Sequence, residues 1–166
     1  MITAPLPLTA HDRRDQFDCG RAALNLWFQR HAWRNQQSGV SRTNVVRATA
    51  TGLPVGFVSL SAAQIARAYL AKPGQRNQPD PLPAILLGQL AVDAAWQKRG
   101  IAHSLVVFAL ATACRLAQDI GCFGVVTHPL DDGLRRFYRN RGFEDLPFDP
   151  HRGMIVRIKD LAANGF

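Results

Sequence analysis

The sequence predicts a single α/β domain, residues 1–166, built on a mixed central sheet flanked by helices. Three observations predict it. Short apolar runs alternate with longer stretches of helical period in the order β-α-β-β-β-α-β-α-β, the pattern of one mixed α/β layer structure. The 166 residues are 47% hydrophobic, enough for one sizeable core. One apolar run, from Ala84 to Leu90-Ala91-Val92-Asp93, passes through a glycine-containing turn straight into a long apolar helix.

Taken in order, residues 2–8 alternate as a first strand, interrupted by Pro5 and Pro7. Phe17-Asp18-Cys19-Gly20 opens a helical stretch in which Leu24, Trp27, Phe28 and His31 fall at i, i+3, i+4 and i+7. Arg21, Arg30 and Arg34 fall on another face, and Gln36 to Gly39 break the helix. Thr43–Thr51 and Pro54–Ala62 read as strands joined at Thr51-Gly52-Leu53, a hairpin signal. Ala71–Pro83, with four prolines and Gly74, reads as a mobile polar loop. After the long helix over 101–117, Gly121–Thr127 reads as a buried strand. Asp131-Asp132 starts a helix carrying Leu134, Phe137 and Tyr138, which stops at Gly142. Met154–Ile158 is the last strand.

The stretch Gln97-Lys98-Arg99-Gly100-Ile101-Ala102-His103-Ser104 is where this order meets chemistry. A strand feeding a helix through a short turn points several backbone N–H groups at one spot, at the positive end of the helix dipole. Gly100 lets a ligand come close to the backbone. Lys98 and Arg99 add two positive charges, so the turn suits a phosphate or pyrophosphate. No G-x-x-x-x-G-K-[ST] is present, and no G-x-G-x-x-G follows a strand.

Gln-x-x-Gly-x-Ala after a Leu-Ala-Val-Asp strand resembles the acetyl-CoA-binding motif of the GNAT superfamily of N-acetyltransferases. Ala102 stands where many relatives have Gly. Phe137-Tyr138-Arg139-Asn140-Arg141-Gly142-Phe143 is similar to the F-Y-x-x-x-G-F ending of that family's second motif region, and the element order is that of the GNAT fold. Two further stretches resemble the GNAT toxins of bacterial toxin–antitoxin modules. These are Phe17-Asp18-Cys19-Gly20 with Leu24-x-x-Trp27-Phe28, and Phe143-Glu144-x-x-Pro147-x-Asp149-Pro150.

The resemblance implies a sheet whose strands splay around an acetyl-CoA cleft, and a transfer of acetyl from thioester to amine. The tetrahedral intermediate needs an oxyanion donor, which in the family is a backbone N–H of the central strand, here within Leu90-Ala91-Val92. Gln97 to Ser104 would hold the cofactor, with His103 in contact with it, and Leu130 and Gly133 would neighbour its pantetheine arm. Tyr138 would return a proton to the leaving thiolate. For a general base, His128 at a strand end is one candidate, and a solvated turn histidine is the other reading of it. The amine could equally lose its proton through water, since an α-amino group titrates near 7.7–8.0.

Three functions fit. One is a toxin that acetylates the amino group of charged tRNA and blocks translation, which by resemblance implies a ribbon-helix-helix antitoxin and a homodimer. Another is an acetyltransferase for a small amine or a protein N-terminus. The third is a non-catalytic binding module, against which Tyr138 argues. The net charge of +8 favours a polyanionic partner. Arg21, Arg30 and Arg34, extended by Lys72 and Arg76, would form the tRNA contact. With Arg30 and Arg34 four apart, they would project together from one helix.

Cys19, Cys114 and Cys122 have no metal-ligand spacing and read as reduced structural thiols, so no metal is expected. No secretory signal or membrane span is visible, and the expectation is a cytoplasmic protein.

Overall fold

A computed structural model describes all 166 residues, Met1–Phe166. The strands are β1 (Leu6–Pro7), β2 (Arg42–Arg47), β3 (Pro54–Ile65), β4 (Leu82–Val92), β5 (Gly124–Thr127), β6 (Glu144–Asp145) and β7 (Met154–Arg157). The helices are α1 (Ala22–Arg30), α2 (Ala32–Ser38), α3 (Ile101–Leu116), α4 (Asp132–Arg139) and α5 (Ile158–Ala163). The seven strands form one mixed sheet in the order β1-β2-β3-β4-β5-β7-β6. β4 runs parallel to β5, and the β1–β2, β2–β3, β5–β7 and β6–β7 pairs are antiparallel. No helix is long and apolar enough to cross a membrane. The chain gathers into two compact units, residues 1–61 with 87–109 and residues 62–86 with 110–166.

The first unit is built around aromatic rings. Leu24 and Phe28, one turn apart on α1, are buried with Ala32, Phe17, Val45, Phe57 and Ala91, and Trp27 and Trp33 pack against them. Phe28 stacks on Phe57 of β3 with centroids 4.2 Å apart, and Phe17 meets both rings edge-on at 4.9 and 5.4 Å. Such pairs add about 0.5–1.5 kcal/mol beyond the area they bury. The first turns of α3 also lie close against β3. A Cβ on Gly56 would stand 3.2 Å from Ile101 Cγ2 and from Leu105 Cδ1.

The second unit packs Ile65, Leu70, Leu82, Ala84, Val126, Leu146 and Ile155 into one cluster. β5 is central to it. Ala84–Leu86 of β4 pair with Gly124–Val126, and Met154–Arg157 of β7 pair along its other side. All four β5 residues are buried, as expected for a strand covered on both faces.

Several expectations need correction. The first strand shrinks to Leu6–Pro7 plus a single Ile2–Ala48 bridge, because the prolines withhold ladder donors. The helical stretch is two helices that break at His31, which is exposed while Ala32 takes the buried position. Arg30 therefore ends α1 and Arg34 belongs to α2, so the one-helix i, i+4 argument for them fails. Residues 71–83 are not a loose loop. Lys72–Gln75 form a 3-10 turn, Gln75 donates to Leu70 O at 2.8 Å, and Arg67 binds Asp80 and Gln78 O.

On α4 the buried residues are Arg135 and Tyr138, with Leu134 and Phe137 half-buried. Arg135 is satisfied there by Asp145 at 2.5 Å and by Arg152 O. Ile158 opens α5 rather than ending β7.

Candidate active site

The turn that the motif singles out lies in the first unit. Asp93 caps a 3-10 turn over Ala94–Trp96, its Oδ1 accepting from Ala95 N at 3.0 Å. Lys98 then takes a φ of +61° and Gly100 a φ of +82°, with Arg99 between them outside the left-handed region. Alternation of this kind turns successive N–H groups into one concavity, a shape that binds anions. Ser104 N donates to Gly100 O at 3.1 Å as the first bond of α3. The N–H groups of Ile101 and Ala102 thus precede the helical ladder and point out of the helix end. Nothing stands within 4 Å of where a Gly100 Cβ would be, so the space above the turn is open to a ligand.

The motif's side chains divide by role. Lys98, Gly100, His103 and Ser104 are exposed, whereas Ile101 is buried and anchors the helix start. Arg99 lies over the Trp96 ring at 4.8 Å and donates to Ala95 O at 3.2 Å. Gln97 uses both amide hydrogens in bracing, donating to Val92 O at 2.9 Å and to Cys19 O at 3.0 Å. Leu90, Ala91 and Val92 form the end of β4, with Ala91 and Val92 buried.

The turn rests on a bracket that the sequence does not announce. Asp18 N donates to Asp93 Oδ2 at 3.1 Å, and Ala94 N donates to Asp18 O at 2.8 Å. The Asp18 carboxylate accepts from Gly20 N and from Asn25 Nδ2, each at 2.8 Å. Those bonds hold its carboxyl below the usual carboxylate range. Asn25 Oδ1 accepts in turn from Cys19 N at 2.8 Å. Phe17-Asp18-Cys19-Gly20 is therefore the support of the 93–100 turn.

Tyr138 lies in the second unit. Its ring is 6% exposed and meets Phe137 and Phe143 edge-on at 5.1 and 5.3 Å. Burial pushes the phenol up to about 12, against the opposing pull of a hydrogen bond with Thr127 and of the Arg141 charge. The phenol therefore carries its proton throughout the neutral range. Arg141 is held beside it, its guanidinium 3.6 Å from the Phe137 ring centroid and Nη1 donating to Phe137 O at 2.7 Å.

The remaining candidates lie at the surface. Leu130 is 60% exposed ahead of α4, and Gly133 is exposed in its first turn, near Asp131. Arg21, Arg30 and Arg34 are exposed in the first unit. In the second, Lys72 reaches to 5.8 Å from the Phe148 ring centroid, and Arg76 closes the 3-10 turn. Cys19 and Cys114 are buried, Cys122 is half-buried, all three are free thiols, and burial pushes each of them up. No cluster of three or more His, Cys, Asp or Glu side chains gathers as a metal site would require.

Comparisons with known proteins bear on this geometry. A family profile described as the acetyltransferase (GNAT) domain matches residues 41–145. A tRNA-acetylating toxin of Mycobacterium tuberculosis (strain ATCC 25618 / H37Rv) is 34% identical over 161 residues, 97% of this chain and 95% of that protein. Among solved structures, AtaT complexed with acetyl-methionyl-tRNAfMet is 25% identical, covers all of both chains and superposes with a TM-score of 0.92. AtaTR bound with AcCoA is also 25% identical, over 99% of this chain and 98% of that one, with a TM-score of 0.86.

Proposed function

From a chain that belongs to the GNAT acetyltransferase family, we propose an acetyl-CoA-dependent toxin that acetylates the amino group of charged tRNA and so blocks translation. The observation that carries this is 34% identity along 97% of the chain to a tRNA-acetylating toxin. The nest-like turn at 97–100 and the protonated phenol of Tyr138 support the same reading, since acetyl transfer needs an anion cradle for the CoA phosphates and a proton donor.

In this reading residues 1–166 act as one acetyltransferase domain. Backbone N–H groups from Lys98 to His103 hold the pyrophosphate, with Lys98, Arg99 and Ser104 around it. Gln97 and Ile101 fix the turn's shape. A backbone N–H within Leu90-Ala91-Val92 stabilises the oxyanion, and Leu130 and Gly133 neighbour the pantetheine arm. Acetyl-CoA supplies the activated acyl group. Tyr138 gives its proton to the departing thiolate. Arg21, Arg30, Arg34, Lys72 and Arg76 meet tRNA phosphates. The enzyme is cytoplasmic, where charged tRNA is found. A ribbon-helix-helix antitoxin and a homodimer complete the assignment by family resemblance.

The test compares two acceptors, charged tRNA and a small amino-acid amide, for the wild type and an Arg30→Glu, Arg34→Glu double variant at two salt concentrations. Each phosphate contact releases counterions, so acetylation of tRNA should fall steeply with salt. The double variant should lose most tRNA acetylation and keep its activity on the amide. Equal activity of the wild type on both acceptors, insensitive to salt and to the two arginines, would sink the tRNA assignment.

A further inference from the structure

The segment between β6 and β7 holds a buried carboxylate to which the acetyl transfer described so far gives no part. The Asp149 side chain is 3% exposed. Its Oδ1 accepts from His151 N and its Oδ2 from Gly153 N, both at 2.9 Å. His128 stands against it, with Nε2 3.8 Å from Asp149 Oδ2 and a side chain that is 49% exposed. One end of the imidazole thus faces a buried acid while the ring remains open to solvent.

Gly153 shows that this closeness is built. A Cβ there would stand 2.5 Å from Asp149 Oδ2 and 3.2 Å from His128 Nε2. Its φ is not in the left-handed region, so space and not backbone freedom requires the glycine. The pair also has a definite place beside the phenol. His128 follows Thr127, the last residue of β5 and the hydrogen-bond partner of Tyr138. Successive residues of an extended strand face opposite ways. Thr127 turns to the phenol and His128 to the β6–β7 segment.

Resting on the acetyl-transfer reading above, we propose that His128, oriented by Asp149, takes the proton that the acceptor amine gives up. With Nε2–H directed at the carboxylate, the Nδ1 lone pair is the accepting site. Nδ1 takes one proton from the ammonium form of the acceptor, and the freed amine nitrogen bonds to the thioester carbon. The C–S bond then breaks, the thiolate takes the Tyr138 proton, and the surplus proton of the amide nitrogen returns to the phenolate. Acid and base thereby leave the same strand end in opposite directions, matching an amine that arrives while a thiolate departs. The other charged groups of α4 and of the β6–β7 segment do not take the place of Asp149. Arg135 binds Asp145, Arg152 lies 3.8 Å from Asp132, and His151 is exposed.

The experiment measures turnover of the full chain from pH 6 to 9 for wild type, His128→Gln, His128→Ala, Asp149→Asn and Tyr138→Phe, with charged tRNA and with an amino-acid amide. His128→Gln should lower turnover at neutral pH by about 10²–10⁴-fold, the range for a lost proton-transfer group. The acetyl-CoA-induced rise in melting temperature should persist. The deficit should shrink as pH rises and the amine deprotonates unaided, and added imidazole should restore part of the His128→Ala rate. Asp149→Asn should show a smaller deficit with the same pH trend, and the Tyr138→Phe deficit should not follow it.

Wild-type turnover in His128→Gln, a deficit constant with pH, no response to imidazole, or loss of the acetyl-CoA shift would each overturn the proposal. If the wild type acetylates the amide and not tRNA, the tRNA assignment fails and the His128 test runs on the amide. If it acetylates no amine, the acetyl-transfer reading fails and this proposal falls with it.

Discussion

The 97–100 turn and the Tyr138 ring, the two centres of the proposed acetyl transfer, differ in what the chain offers there: main chain at one and a side chain at the other. In the turn, Gln97 and Arg99 are engaged in bracing, and what faces the open space is main chain of alternating hand. At Tyr138 the main chain is ordinary helix and the chemistry is one hydroxyl, enclosed by Phe137, Phe143 and Thr127. A site made of main chain should tolerate changes of side chain and fail when a φ changes. A site made of one hydroxyl should tolerate changes of backbone detail and fail when that oxygen goes.

The largest effect expected from breaking this contrast is on turnover. Tyr138→Phe keeps the aromatic packing and removes the donor, so steady-state kinetics should show a loss of about 10²–10⁴-fold. The thermal shift with acetyl-CoA should match the wild type. A parallel loss of the shift would mean that the phenol binds the cofactor.

Next in size is Gly100→Val. A β-branched residue at a φ of +82° is strained by roughly 1–2 kcal/mol, and its side chain enters the open space over the turn. The acetyl-CoA-induced rise in melting temperature should vanish, because a ligand stabilises only the fold it binds. Lys98→Asn, a residue also at home at positive φ, should keep most of that rise.

A smaller effect is expected at the support. Gln97→Leu removes two hydrogen bonds, each worth about 0.5–1.5 kcal/mol. The apo protein should melt a few degrees lower and bind acetyl-CoA more weakly, with turnover at saturation unchanged. A fall in saturated turnover instead would give the Gln97 amide a part in the chemistry.

Smallest is a pH effect on stability. Burial raises the folded phenol to about 12 from an ordinary 10, so the folded state holds that proton more tightly than the unfolded chain. The resulting stability is complete below pH 10 and is lost as pH rises from 10 to 12. Melting temperature against pH should fall more gently in Tyr138→Phe across that window. Identical slopes would mean that the phenol is not desolvated.

Much of this contrast was legible in the sequence, for a physical reason. Gly100 and Tyr138 sit in short contiguous patterns where local backbone geometry or one side chain carries the role. The bracket was not legible, because Asp18 meets Asp93 across 75 positions and Gln97 meets Cys19 across 78. The approach of His128 to Asp149, across α4 and β6, was hidden in the same way over a shorter stretch. The burial of Arg135 was not legible either, because an arginine is normally exposed, and it is Asp145 of β6 and the Arg152 carbonyl that make its burial tolerable. The break at His31 has no proline or glycine to mark it. β6 and α5 are two and six residues long, too short for a period to show.

Both margins of the sheet are blunted, and this limits how copies of the chain can associate. One margin is β1, two residues long, flanked by Pro5 and containing Pro7. The other is β6, two residues long, exposed and acidic in Glu144 and Asp145. Short, proline-bearing or charged borders deny an incoming strand the row of donors and acceptors it would need. Runaway edge-to-edge growth of the sheet is thereby discouraged at high concentration. Self-association of this protein must then use helices and connecting segments, whose side chains can select a single partner, in place of a ribbon that would accept any.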